Sequence, residues 1–149
     1  MTEVNPAKAF LRRYRFILAR QDSLIRQLAA LRDRQTNCTV KLTGMPISGG
    51  GFVNDRMAEE VVRVIEIEEQ LTEQERKAAK ELEEILQAIN SIKEEPLKTV
   101  LILRYCEGLY WEKIAERMGY EIRNVYILHG RALWKVNQWL NERGNIFVE

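Results

Sequence analysis

The sequence predicts an all-α protein: a long antiparallel coiled-coil hairpin followed by a small three-helix helix-turn-helix domain. Three observations carry this. Apolar residues recur every three or four positions over two long stretches, about 5–35 and 55–93, with the break between them rich in glycine. Those two stretches carry opposite charge. Further on, LYWEKIAERMGYEIRNVYILHGRALWKV (109–136) reads as two short amphipathic helices meeting at a glycine.

The first stretch opens with Asn5 and Pro6, a capping residue followed by the residue best suited to a first helical turn. Phe10, Tyr14, Ile17, Gln21, Leu24, Leu28 and Leu31 then alternate by four and three, the spacing of a coiled-coil seam. At 1.5 Å per residue this helix is about 46 Å long. The next segment, TNCTVKLTGMPISGGGFVN (36–54), contains Pro46 and three consecutive glycines, so a flexible loop is expected over 36–54. Alternation in CTVKL permits a short strand. The glycines are followed by no Gly-Lys-Ser/Thr, and a nucleotide-binding loop is rejected.

Asn54 or Asp55 is placed to cap the second helix. Its seam reads Val61, Val64, Glu68, Leu71, Glu75, Ala78, Leu82, Ile85, Ile89 and Ile92. Thr72 with Glu75 resembles a capping box and marks a point where the helix would break; one continuous helix is the preferred reading. Residues 1–36 hold eight Lys/Arg against three Asp/Glu, and residues 55–95 hold six against thirteen. A basic and an acidic helix with matching seams pair antiparallel, the charge favouring this pairing over like with like. Gln21 and Glu68 are expected to meet as a polar layer that sets register. The hairpin is assigned to 1–95 and the helix-turn-helix domain to 96–149, with helices at 96–106, 110–118 and 122–142.

The chain has 149 residues, is 46% hydrophobic and 30% charged, and carries a net charge of +1, so it is a folding sequence and not a uniformly basic nucleic-acid coat. Its densest apolar run, VLIL (100–103), is far short of the roughly 20 residues a membrane span needs. MTEVNPAKAF has no signal-peptide pattern, and a cytoplasmic location without membrane attachment is expected. Cys38 and Cys106 fit no metal spacing, and His129 is the only histidine, without a cysteine or carboxylate cluster around it in sequence. No catalytic residue, metal site or cofactor is expected, and His129 reads as a packing or phosphate-side residue.

A helix-turn-helix needs a small residue where the second helix crosses the first, a glycine in the turn, and apolar residues at set offsets. Counting from Trp111, Ile114 is fourth, Ala115 fifth, Met118 eighth, Gly119 ninth, Tyr120 tenth, Val125 fifteenth and Leu128 eighteenth, each of the required type. The competing reading is a plain helical hairpin with a glycine turn. In the motif, the N-terminal half of the second helix enters the major groove. Val125, Leu128, Ala132, Val136 and Leu140 form its inward stripe, leaving Ile122, Arg123, Asn124, Tyr126, Ile127 and Arg131 outward. Arg123 suits a guanine edge, Asn124 an adenine edge or a phosphate, and Arg131 a phosphate; Lys113 and Arg117 on the preceding helix suit the backbone. Each of these charges also reads as a solvated surface residue. Ile127 and Trp134 read as packing against the hairpin, with a dimer or polymerase contact as the alternative. Arg12, Arg13 and Arg15 suit either phosphate or Glu81, Glu83 and Glu84.

The run LRYCEGLYWEKIAERMGYEIRNVYILHGRAL (103–133) resembles region four of bacterial sigma factors, which reads the promoter −35 element. The matching pieces are Leu103-Arg104-Tyr105, Glu107-Gly108-Leu109, Lys113 to Glu116, Met118-Gly119-Tyr120 and Val125 to Leu133. Glu121 departs from the pattern, standing where such domains usually place Ser or Thr. LTGMPISGGG before a long acidic helix extends the resemblance to sigma-like proteins of Gram-positive phages and prophages, including late-transcription regulators of the ArpU and RinA kind. The resemblance implies a regulator of phage or prophage late genes that binds double-stranded DNA and acts with host RNA polymerase, as a monomer or homodimer. Nothing resembles the sigma region that binds core polymerase and melts promoters, so initiation alone is not expected. Two readings stand beside it: a DNA-packaging (small-terminase-like) or scaffold protein, and an interaction protein whose motif never touches DNA.

Overall fold

The long apolar seams form two helices, α1 (Pro6–Leu42) and α2 (Gly51–Asn90), which run antiparallel as a hairpin. Three shorter helices follow and pack together: α3 (Glu95–Leu101), α4 (Trp111–Met118) and α5 (Ile122–Ile146). A single π-helical turn, Ile102–Cys106, continues α3. This computed structural model describes the backbone of residues 5–42 and 51–146, and the side chains of 5–35 and 55–144. Among the described residues no helix is long and apolar enough to cross a membrane.

The helices overrun the expected loop. Residues 36–42, including CTVKL, are helical rather than strand or loop, and so are 51–54. Hydrogen bonding along an already nucleated helix outweighs the modest β preference of Val and Thr, since propagation adds a bond for each residue set. Pro46 lies outside the described residues, as do Gly49 and Gly50. Helix α2 passes unbroken through residue 71. Thr72 does not cap there; its hydroxyl donates back to the Glu68 carbonyl at 3.0 Å, a bond compatible with a continuous helix.

Residues Leu18–Lys77 form one compact unit. Its core joins Leu24, Leu28 and Leu31 of α1 to Ile67 of α2, with Val64 and Leu71 alongside. The first seam is thus as expected, and the second is shifted. Glu68 is exposed and pairs with Arg32 at 2.9 Å, so the Gln21–Glu68 polar layer does not form. Ile67 and Gln74, 7% and 6% exposed, take the places given to Glu68 and Glu75. Val61 is 49% exposed. Burying Ile67 in place of a carboxylate spares the cost of desolvating a charge, which decides between two registers that share Val64, Leu71 and Ala78.

The other compact unit is Met1–Ile17 together with Ala78–Glu149. The division therefore falls within the hairpin, not at residue 95. The first turns of α1, through Ala7, Phe10 and Leu11, and the last turns of α2, through Ile85, Ala88, Ile89 and Ile92, share one core with α3 and α5. Leu11, Ile85, Ile89 and Val136 are wholly buried, each contributing about 1.5–3 kcal/mol by leaving water. Asn5 caps α1 as expected, its side-chain oxygen accepting from the Ala7 N–H at 3.1 Å. Asn137 of α5 joins this cap: its oxygen accepts from the same N–H at 2.9 Å, and its amide donates to Asn5 at 3.2 Å. Phe10 meets Trp139 with ring centroids 5.9 Å apart.

Candidate nucleic-acid interface

Helix α4 ends because Gly119 turns left-handed, at φ 71° and ψ 29°. The Tyr120 N–H then reaches the Ala115 carbonyl at 3.1 Å, and the Gly119 N–H reaches Glu116 at 3.3 Å. These are the two bonds of a Schellman stop, which glycine makes without steric cost. After a two-residue link α5 begins, the Glu121 carbonyl accepting from the Asn124 and Val125 N–H groups. Ile114, Ala115 and Val125 are buried with Val100 of α3, flanked by Met118 and Leu128. The offsets counted in the sequence thus converge on one small core, with one exception. Tyr120 is 43% exposed, because its backbone rather than its ring completes the turn.

The residues assigned outward are all exposed: Ile122, Arg123, Asn124, Tyr126, Ile127 and Arg131 on α5, and Lys113 and Arg117 on α4. The expected inward stripe is the observed one, with Val125, Ala132 and Val136 at 0% exposure and Leu128 and Leu140 half-buried. Among the described residues no carboxylate pairs with Arg123 or Arg131. Lys113 and Arg117 are each 3.4 Å from a carboxylate, Glu116 and Glu107. Such exposed pairs are worth at most about 1 kcal/mol and exchange readily for another anion. Ile127 and Trp134 do not pack on the hairpin; they stand 47% and 58% exposed. Trp134 instead borders a groove of about 500 Å³ with Pro96, Leu97, Leu128 and Arg131.

An aromatic cluster behind the outward face was missed in the sequence. Trp111 lies edge-on to Tyr126 at 5.3 Å and to His129 at 4.6 Å, and Arg104 sits 4.5 Å over its ring. His129 shares a 2.7 Å hydrogen bond with the Tyr105 hydroxyl. His129 follows Val125 by four positions and precedes Ala132 by three, which places it on the inward stripe; that spacing was the available signal. Of its two sequence readings, packing is the observed one. Burial pushes its pKa down to about 4, with Lys8, Arg104 and Arg12 acting in the same direction. Burial likewise raises the Tyr105 hydroxyl and the half-buried Cys106 thiol above their ordinary ranges.

His129 is therefore neutral in the fold and protonates more readily once unfolded. Between pH 6.5 and 4 the unfolded chain binds the extra proton, so stability falls as pH drops through that window and is unaffected by this group above it. With a single histidine, one imidazole NMR signal reports the event. A midpoint near 4 in the folded protein is expected; a midpoint near 6.5 would contradict the burial.

Among the described residues no group of three or more His, Cys, Asp or Glu side chains is gathered as a metal ion would require. No protein-family model, curated protein or solved structure matches the chain.

Proposed function

We propose that the protein is a sequence-specific duplex DNA-binding regulator of transcription, placed by its resemblance to sigma region four among phage or prophage late-gene regulators that act with host RNA polymerase. The observation that carries the reading is the pairing of α4 and α5 about Gly119. A buried core of Ile114, Ala115 and Val125 lies on one side, and Arg123, Asn124, Tyr126 and Arg131 are exposed on the other. In this reading the first half of α5 lies in the major groove, Arg123 and Asn124 meet base edges, and Arg131, Lys113 and Arg117 hold phosphates. The near-neutral net charge limits non-specific attraction, so binding as a homodimer or alongside polymerase is the expected mode. Selection from a pool of random duplexes tests the reading. A defined consensus recovered by the purified protein supports it, and recovery of unbiased sequence at low salt refutes it.

One observation favours the alternative of a packaging or scaffold component. Met57, Val61 and Ile65 recur at four-residue spacing on α2 and are 38–49% exposed, with Val62 beside them. A face of this kind suits self-association. Size in solution separates the two: a regulator is a monomer or dimer, and a packaging ring contains many subunits.

A further inference from the structure

Three arginines meet at a cleft of about 330 Å³ beside the start of α4. Arg12, Arg15 and Phe16 of α1 form one wall, and Arg104, Tyr105 and Gly108 form the other. The Arg15 guanidinium packs directly on Gly108, where any Cβ would collide with it. Gly108 is also left-handed, at φ 72°, so this close approach is open only to glycine. Arg104 is held by donating to the Leu109 carbonyl at 2.9 Å and by stacking on Trp111.

Among the described residues no carboxylate pairs with Arg12, Arg15 or Arg104. The nearby Glu107 is engaged by Arg117. The pairing of this arm with Glu81, Glu83 and Glu84, one of its two sequence readings, is not seen among the described residues. Three like charges around one cleft repel unless an anion joins them. Arg12 and Arg104 also press on the titration of both Tyr105 and His129, as a shared positive potential would.

The position of the cleft suggests the anion. Arg104 and Tyr126, the latter on the outward face of α5, both contact the Trp111 ring. The first helix of a helix-turn-helix crosses the DNA backbone, and the cleft abuts the N-terminal end of that helix. Phe16, 70% exposed at the rim, offers an apolar face beside the sugar.

We propose that Arg12, Arg15 and Arg104 bind a backbone phosphate of the same duplex that α5 reads, so that the start of α1 is a second, sequence-independent DNA contact. The inference rests on the DNA-binding reading above. Guanidinium groups suit it because their planar forks match phosphate oxygens.

Salt dependence tests it separately from that reading. Binding of a selected duplex and a scrambled one is measured over a range of salt for the native chain, for Arg12→Ala with Arg15→Ala, and for Arg12→Lys with Arg15→Lys. Loss of one phosphate lowers the slope of log affinity against log salt by about one. That change is expected in the alanine pair for both duplexes, with their affinity ratio unchanged, while the lysine pair keeps the native slope. Should the alanine pair lose its helical circular dichroism, Arg12→Gln with Arg15→Gln carries the same test. An unchanged slope in a folded variant, while the native chain binds, overturns this inference and leaves the reading of α5 standing. Failure of the native chain to bind any duplex at low salt overturns both. Inorganic phosphate titrated into the free protein distinguishes the source: saturation with an unchanged slope assigns the cleft to a free anion and overturns the duplex contact.

Discussion

The segment 96–149, expressed alone, is expected to show no cooperative unfolding transition at room temperature and above. In the intact chain its helices do not close their own core. Ala7, Phe10 and Leu11 from α1, with Ile85, Ala88 and Ile89 from α2, cover Leu101, Tyr105, Ala132, Leu133 and Val136. Removing those partners exposes several side chains worth about 1.5–3 kcal/mol each, against a typical domain stability of about 5–15 kcal/mol. The loss is comparable to the whole. The small cluster of Val100, Ile114, Ala115 and Val125 would remain, but so few residues seldom sustain a fold unaided. Circular dichroism during heating measures this. A sharp transition within a few degrees of the intact protein's would contradict the shared core.

That core was the least legible part of the sequence. Local signals are strong along this chain: Asn5 with Pro6, the seam through Leu24, Leu28 and Leu31, and the spacing from Trp111 to Leu128 each act within one helix or one helix pair. The cap, the buried leucines and, Tyr120 apart, the small core of the helix pair are where they place them. The Asn5–Asn137 hydrogen bond joins positions 132 residues apart, and no periodicity announces such a pairing. The shift in the α2 seam has a different origin. Val64, Leu71, Ala78, Ile85 and Ile92 belong to both heptad registers, and the second seam set can be Ile67, Gln74, Glu81 and Ala88 or Glu68, Glu75, Leu82 and Ile89. Below Ile85 the stripe is wide enough to bury both Ala88 and Ile89, so the two readings merge there. Above it they diverge, and burial of Ile67 in place of Glu68 separates them. Sequence spacing alone weighs these equally; the desolvation cost of a glutamate does not.

The candidate interface divides in the same way. Its outward residues follow from helical phase alone, once Val125 and Ala132 are placed inward. The cluster of Arg104, Tyr105, Trp111 and His129 does not, because it depends on how the π-helical turn at Ile102–Cys106 and the left-handed Gly108 bring α3 back against α5. The cleft with Arg12 and Arg15 depends on the shared core once more.

The largest effect on binding is expected from Arg123→Ala combined with Asn124→Ala. Both side chains are exposed, so their loss changes stability by no more than about 0.5 kcal/mol. A well-formed bidentate contact to a base edge discriminates by about 1–3 kcal/mol, so the pair together costs about 2–6 kcal/mol, a loss of thirtyfold or more on a selected duplex. On a scrambled duplex only the missing positive charge is felt. Arg131→Ala provides the contrast, since a phosphate contact weakens binding to every sequence alike. The most direct measurement is therefore fluorescence anisotropy of the native chain and the Arg123→Ala, Asn124→Ala variant, each with a selected and a scrambled duplex at one salt concentration. The expected result is that the preference for the selected duplex collapses in the variant while its thermal unfolding stays as in the native protein. A folded variant that separates the two duplexes as well as the native chain does would contradict the reading of α5 as the helix that enters the groove.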